Sequence, residues 1–521
     1  MSEIPVTNKS TELSDCKDAW FFHEKYRVWC LEDILYTEKA TVPEFQRLSI
    51  FVPEAYMKEK GEIDPEGVMN GYTADTAPVI FENNSAGYMQ MPHVRLDGPG
   101  CHAYPYLAQG YVYVTCGNRG HESRDADGRF CGKAPINLVD LKTCVRFIRH
   151  NRASIPGDMT KIISIGCSAG GAMSTLLAVT GDNANFIPYL EENGAFMEES
   201  DAVYASQIYC PIIDLEHADL AYEWLFGADK ENVPPVGPRG VMSPFQEELS
   251  AILSKDYIEY FNSLELKNPE NGEKLEIGED GRSGSGLGYL MEKLNESATI
   301  YLTKLKKGEL PEKYSVEDYL DGNYTYGAPA GAHTPVPPTA EARGKRAWLS
   351  WDGDRAVISD IDSYVLNYRR RMKPCTSFDV LGMDSGENKV FGNANIPMRH
   401  FNTYIAAAID KLKDRFPEEY AKYHEGYARV LGDEELARQV YLINPFRYIK
   451  TEEKSAQAEY YRIRVGTCDA DTSFTVSMIL ACLLAEAGKE VDYQLVWDQP
   501  HCEADYPGEV IAWIEEIVKK A

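Results

Sequence analysis

The chain has 521 residues, 44% of them hydrophobic and 26% charged. That is the ordinary globular range and excludes a mainly disordered or fibrous protein. Asp and Glu number 81 against 53 Lys and Arg, a net charge of −28, which repels nucleic acid and anionic membranes because phosphate binding needs concentrated cations. No apolar run reaches the ~18 residues of a membrane span. The start, Met1-Ser2-Glu3-Ile4-Pro5-Val6, lacks a basic region followed by an apolar stretch, so no signal peptide is expected and a cytoplasmic location is. The twelve cysteines are scattered without CxxC or zinc-ligand spacing, and no metal or organic cofactor is expected. Nothing here fixes an oligomeric state.

In chain order, the segment 46–53 alternates polar and apolar residues and predicts a strand ending at Pro53. A short apolar run at 77–82 breaks into Asn83-Asn84-Ser85-Ala86-Gly87, and 111–115 is β-branched and aromatic after Gly110. Leu138, Leu141, Val145 and Ile148 recur at helical spacing over 138–150. A buried-type strand at 161–165, a small-residue helix at 169–179 and a strand at 202–210 follow. Strands alternating with helices predict a parallel sheet covered on both faces. The alternation stops near Leu215, where the chain becomes polar, tyrosine-rich and helical in patches, with loop compositions at 281–286 and 331–338. It resumes with a strand at 460–465, a helix at 473–487, a strand at 491–497 and a helix at 508–519. The expected organisation is one α/β domain in two pieces, residues 1–214 and 443–521, interrupted by an insertion at 215–442.

The sharpest motif is Gly166-Cys167-Ser168-Ala169-Gly170-Gly171. It fits G-x-S-x-G between a predicted strand and a predicted helix, the context of a nucleophile elbow. Glycines allow the sharp turn, Ser168 is held with its hydroxyl exposed, and the Ala169 N–H at a helix start can bind an oxyanion. A structural Gly/Ser turn is the plainer alternative. A serine nucleophile needs a base, and the base needs an orienting carboxylate, in the order Ser, acid, His for this fold class. His501, just past the strand at 491–497, is the histidine that follows the resumed sheet; His333 and His400 in the insertion are weaker candidates. Asp469 and Asp471 follow the strand at 460–465, and one helix and one strand separate them from His501. A second oxyanion amide is expected in the loop after the strand at 77–82, from Ser85 or Ala86.

The elbow, Asp469-x-Asp471-Thr472-Ser473, the late His501 and the large insertion together resemble tannases of the bacterial type. The resemblance runs from about Phe45 to the C-terminus and is loosest within 215–340. It implies an α/β-hydrolase fold with the insertion as a lid, and a serine esterase that splits gallate esters through Ser168, Asp469 and His501. It further implies that Lys373 and Glu387, whose separation matches the family's, and Asp471 grip the hydroxyls of the gallate ring. Lys373 and Glu387 also read as plain solvated charges, and Asp471 as the N-cap of the helix that follows. A second resemblance, to the fungal tannase and feruloyl esterase group, implies a disulfide between Cys167 and Cys502, neighbours of the serine and the histidine; a cytoplasmic location would instead keep that pair reduced. The partner expected is therefore a small aromatic ester. The alternatives are a feruloyl or hydroxycinnamoyl esterase with the same triad, a peptidase on this fold, or a non-catalytic protein that binds through its lid.

Overall fold

The computed structural model describes residues 11–59, 61–232, 240–310, 315–321, 348–451, 454–502 and 504–520. The predicted loop at 331–338, with His333, lies outside them. Nine strands form one sheet: β1 (Phe21–His23), β2 (Val28–Leu35), β3 (Arg47–Pro53), β4 (Pro78–Asn83), β5 (Val112–Cys116), β6 (Asp158–Cys167), β7 (Ala205–Tyr209), β8 (Tyr460–Gly466) and β9 (Glu490–Val496). Their order is β1-β2-β3-β5-β4-β6-β7-β8-β9. The pairings from β5 to β9 are parallel, whereas β1, β2 and β3 join antiparallel at one edge. This is an α/β-hydrolase fold. No helix among the described residues is long and apolar enough to cross a membrane.

The alternation of side chains along each strand divides the core into two faces. On one face, Val79, Phe81, Val112, Val114, Ile162 and Ile208 pack under α2 (Ile136–His150), α3 (Ala169–Val179) and a late helix, Phe474–Glu486. On the other, Ile80, Tyr113, Ile163, Ile165, Ala205 and Tyr209 pack under the short α1 (Tyr104–Ala108) and the C-terminal helix Glu509–Lys519. Helix α3 spans the residues expected for it; the other predicted elements of the two core pieces are shifted at their ends by a few residues.

The N-terminal hairpin β1–β2 was not expected. In β2 the register slips between Leu31 and Ile34, and Asp33 has φ of 60°, so the period-two pattern is broken where a strand would be read. The insertion opens with α4 (Leu215–Phe226), buried at every residue but Glu216, followed by α5 (Pro244–Ser263) and α6 (Ser285–Lys307). Leu249, Leu253, Tyr257, Leu290 and Leu294 of this region belong to the same hydrophobic cluster as α2 and α3. The insertion and the α/β core thus share one continuous interior.

Candidate active site

Ser168 sits between the end of β6 and the start of α3 with φ 60° and ψ −123°, a conformation that costs a non-glycine residue energy and clusters at functional sites. The turn closes because its flanking residues have no side chains. A Cβ on Gly166 would meet the Gly170 carbonyl oxygen at 2.2 Å, and one on Gly171 would meet the Tyr209 oxygen at 2.5 Å. The Ser168 N–H donates to the Tyr209 oxygen at 3.0 Å, which ties the elbow to β7. Asn83, read in the sequence only as the first residue of the expected oxyanion loop, lies at the end of β4, and its side chain has a role that was not expected. Its Nδ2 donates to Ser174 Oγ at 2.8 Å and to the Gly170 oxygen at 3.2 Å, fixing the first turn of α3 against β4. No sequence signal marks that role, because it depends on which strand ends beside the elbow.

His501 is buried, and its Nδ1 lies 2.7 Å from Asp469 Oδ2 and 3.6 Å from Asp471 Oδ2. Burial alone would lower the pKa of this imidazole, but the Asp469 and Asp471 carboxylates outweigh it and hold the pKa well above the ordinary histidine value. Asp469 is itself fixed: its Oδ1 accepts the Asp471 N–H at 2.8 Å. Ser473, not Asp471, caps the following helix by accepting the Thr475 N–H, so the expected capping role of Asp471 is corrected: the chain enters the helix two residues later. Cys167 and Cys502 are joined by a disulfide, with Cα atoms 5.3 Å apart. It links the residue before Ser168 to the residue after His501.

Ser168, His501, Asp471, Lys373 and Glu387 all line one cavity of about 1030 Å³, together with the loop Asn83–Gly87. Lys373 Nζ lies 3.6 Å from Glu387 Oε1 and 3.9 Å from the centre of the Phe378 ring. Burial works to lower the lysine pKa, yet Glu387 and Asp471 raise it, so Lys373 is held charged. The side chains of Lys373 and Glu387 are 20% and 18% exposed, unlike the solvated charges that were the plainer reading. One hydroxyl holds this group to the aspartate loop: Tyr222 of α4 accepts the N–H groups of Met372 and Lys373 and donates to the Ala470 oxygen at 3.0 Å. The segment after Lys373 is anchored on Asp219, whose carboxylate accepts the Ser377, Phe378 and Asp379 N–H groups. Burial pushes the Asp219 carboxyl up to about 6 despite these donors.

The oxyanion candidates are placed as follows. Ala169 is the first residue of α3, so its N–H has no acceptor within the helix. Ser85 is buried with its Oγ bonded to Asn118 and Asn137, and Ala86 is exposed at the cavity wall. Ser85 can therefore act only through its backbone. His400 pairs with Asp379 at 2.5 Å and stacks on Tyr427; it does not line the cavity.

The BD-FAE family matches residues 103–219. No curated protein matches the chain in sequence. Among solved structures, the chain is similar to tannin acyl hydrolase from Lactobacillus plantarum, with 30% identity, 94% of each chain covered and a TM-score of 0.75. A tannin acyl hydrolase in complex with ethyl gallate is 29% identical over 94% of each chain, with a TM-score of 0.76. The tannase of Fusobacterium nucleatum is 28% identical, covering 94% of this chain and 95% of its own, with a TM-score of 0.74.

Proposed function

Because the chain belongs to the bacterial tannases and is a carboxylic ester hydrolase of aromatic esters, we propose that it cleaves galloyl esters by acyl transfer through Ser168, His501 and Asp469. The observation that carries this reading is that a strained serine, a carboxylate-bound histidine and a charged lysine between two carboxylates line the same cavity. Asp469 takes a hydrogen bond from Nδ1–H of His501, which leaves Nε2 as the basic nitrogen. His501 accepts the Ser168 proton as Oγ attacks the ester carbonyl, and the Ala169 N–H with an amide of the 83–87 loop holds the oxyanion. His501 then returns the proton to the departing alcohol. Water, deprotonated by the same imidazole, cleaves the galloyl-enzyme.

The clamp supplies the preference for gallate. Three adjacent ring hydroxyls are donors and acceptors, which Glu387, Asp471 and the Lys373 ammonium pair in full. A ring lacking those hydroxyls leaves the polar groups unpaired in a buried site, a penalty that discriminates strongly. A hydroxycinnamate specialist would have no use for a buried lysine at this position.

The test compares methyl gallate with methyl ferulate for the wild type, Ser168→Ala and Lys373→Ala. Gallate hydrolysis is expected to vanish with Ser168→Ala. With Lys373→Ala its kcat/KM should fall by about 10–100-fold, the loss of hydrogen bonds to a charged group. Ferulate hydrolysis that exceeds gallate hydrolysis and ignores Lys373→Ala would reassign the protein to the hydroxycinnamoyl esterases.

A further inference from the structure

An oxyanion hole works only if its donors are held in place before charge develops. Here the two donors belong to segments far apart in sequence. Ala169 opens α3, and the second amide lies in the 83–87 loop that leaves β4. Asn83 ties the first end of that loop to α3. The other end is tied by Tyr88, a buried tyrosine with no part in the proton transfers or the clamp.

Tyr88 packs in the hydrophobic cluster of α2 and α3 and does not line the cavity, whereas Ser85, Ala86 and Gly87 just before it do. Its backbone is left-handed, with φ 58°, directly after Gly87 at 55°. Such a conformation in a bulky residue persists only where the surroundings fix it. Two contacts do so: the Tyr88 oxygen accepts the His121 N–H at 3.0 Å, and its hydroxyl donates to the Ile212 oxygen at 2.6 Å. Burial, and then the charge of Glu387, push the phenol pKa up, so the hydroxyl stays neutral and remains a donor. Ile212 follows β7, and its own N–H donates to the Ser168 oxygen at 3.2 Å. The contacts therefore run from the loop through Tyr88 and Ile212 to the backbone of the nucleophile. Loop and elbow also approach closely: a Cβ on Gly170 would lie 3.5 Å from the Ser85 nitrogen.

Resting on the reading that the 83–87 loop supplies the second oxyanion donor, we propose that Tyr88 is the positioning residue of the oxyanion hole. Its hydroxyl sets the distance between the loop and the elbow, so that a loop amide and the Ala169 N–H converge on one oxygen. It touches no substrate atom and takes no proton. Its effect belongs to the transition state, where the oxyanion forms, and not to the binding of the galloyl ring, so it appears in kcat.

The test is Tyr88→Phe, which removes the hydroxyl and keeps the ring. Its kcat for methyl gallate should fall by about 10–100-fold, less than the loss of an oxyanion donor outright. KM and the Ki of free gallate should stay within about twofold. Inactivation by a fluorophosphonate, whose phosphoryl oxygen enters the same hole without using the clamp, should slow by a similar factor. A role in packing alone would lower Tm and weaken gallate binding without that slowing. Tyr88→4-aminophenylalanine keeps a donor on a ring of the same shape and should restore most of both rates. It carries the test if Tyr88→Phe does not fold, since it must then react within about threefold of the wild type. Unchanged kcat and inactivation rates in Tyr88→Phe, or a loss of about tenfold in both with 4-aminophenylalanine, overturn the proposal. Failure of the galloyl reading is separately visible: the wild type would then leave methyl gallate intact yet react with the fluorophosphonate, and that reaction would still report on Tyr88.

Discussion

Asp471 acts on two groups at once: its Oδ2 lies 3.6 Å from Nδ1 of His501, and its charge helps to raise the pKa of Lys373. This makes its charge readable in a pH profile. General-base catalysis needs neutral His501, so activity rises as pH passes upward through the imidazole pKa. Asp469 and Asp471 raise that pKa against the effect of burial. Asp471→Asn removes one carboxylate, favours the neutral ring and should move the acid limb of kcat/KM to lower pH. The same change should lower gallate kcat/KM at the optimum by about tenfold or more, since one ring hydroxyl loses a charged acceptor. A limb that stays in place would mean that Asp471 does not act on the base. The turn that holds Ser168 and the pairing of Asp469 with His501 were legible in the sequence, because chain order and motif context constrain them. Asn83 and Tyr222 were not: each is an ordinary residue type whose importance comes from two backbone segments that meet it only in the folded chain.

Among elements, α4 does more than open the insertion. Its Tyr222 hydroxyl is shared by the Lys373 segment and the Asp469–Asp471 loop, and Asp219, one turn earlier on the same helix, receives the backbone that follows Lys373. Tyr222→Phe leaves two buried N–H groups and one carbonyl without their partner, at a cost of about 1–3 kcal/mol. The expected result is a lower Tm and a raised KM for methyl gallate, with Ser168 still labelled by a fluorophosphonate probe. An unchanged KM would show that the clamp is held by other contacts. The helix α3 could be read to the residue because a strand, a glycine turn and a run of small apolar residues agree locally. The hairpin β1–β2 could not, because the slip at Asp33 erases the alternation on which strand reading depends. The insertion gave only patches of helix, since its tyrosines pack against each other and against Trp497 rather than along single amphipathic stripes.

Across the whole molecule, the insertion and the second core piece are bound together at the active-site end. Tyr364 donates to the Thr467 oxygen and Tyr368 to Asp498, bracing the loops that carry Asp469 and His501. We propose that residues 215–442 act as a lid that is also a structural support for these loops. The disulfide adds a covalent tie between the residue before Ser168 and the residue after His501. Replacing both Cys167 and Cys502 by serine should lower stability by about 2–4 kcal/mol and reduce kcat more than it raises KM, because the tie governs the approach of His501 to Ser168 rather than the clamp. Equal stability with and without the bond would remove its supporting role. The stop of the strand–helix rhythm near Leu215 and its return at Tyr460 were legible, and β7 and β8 pair across that gap; the interior shared by α2, α3, α5 and α6 was not.

The bond between Cys167 and Cys502 spans 335 positions of sequence and so makes most of the polypeptide a closed loop. The whole of 215–442 lies inside that loop. A single proteolytic nick anywhere between the two cysteines would therefore not release a fragment: the pieces would migrate together without reductant and separate only with it. Ser168 and His501, on opposite sides of such a cut, would still belong to one covalent body.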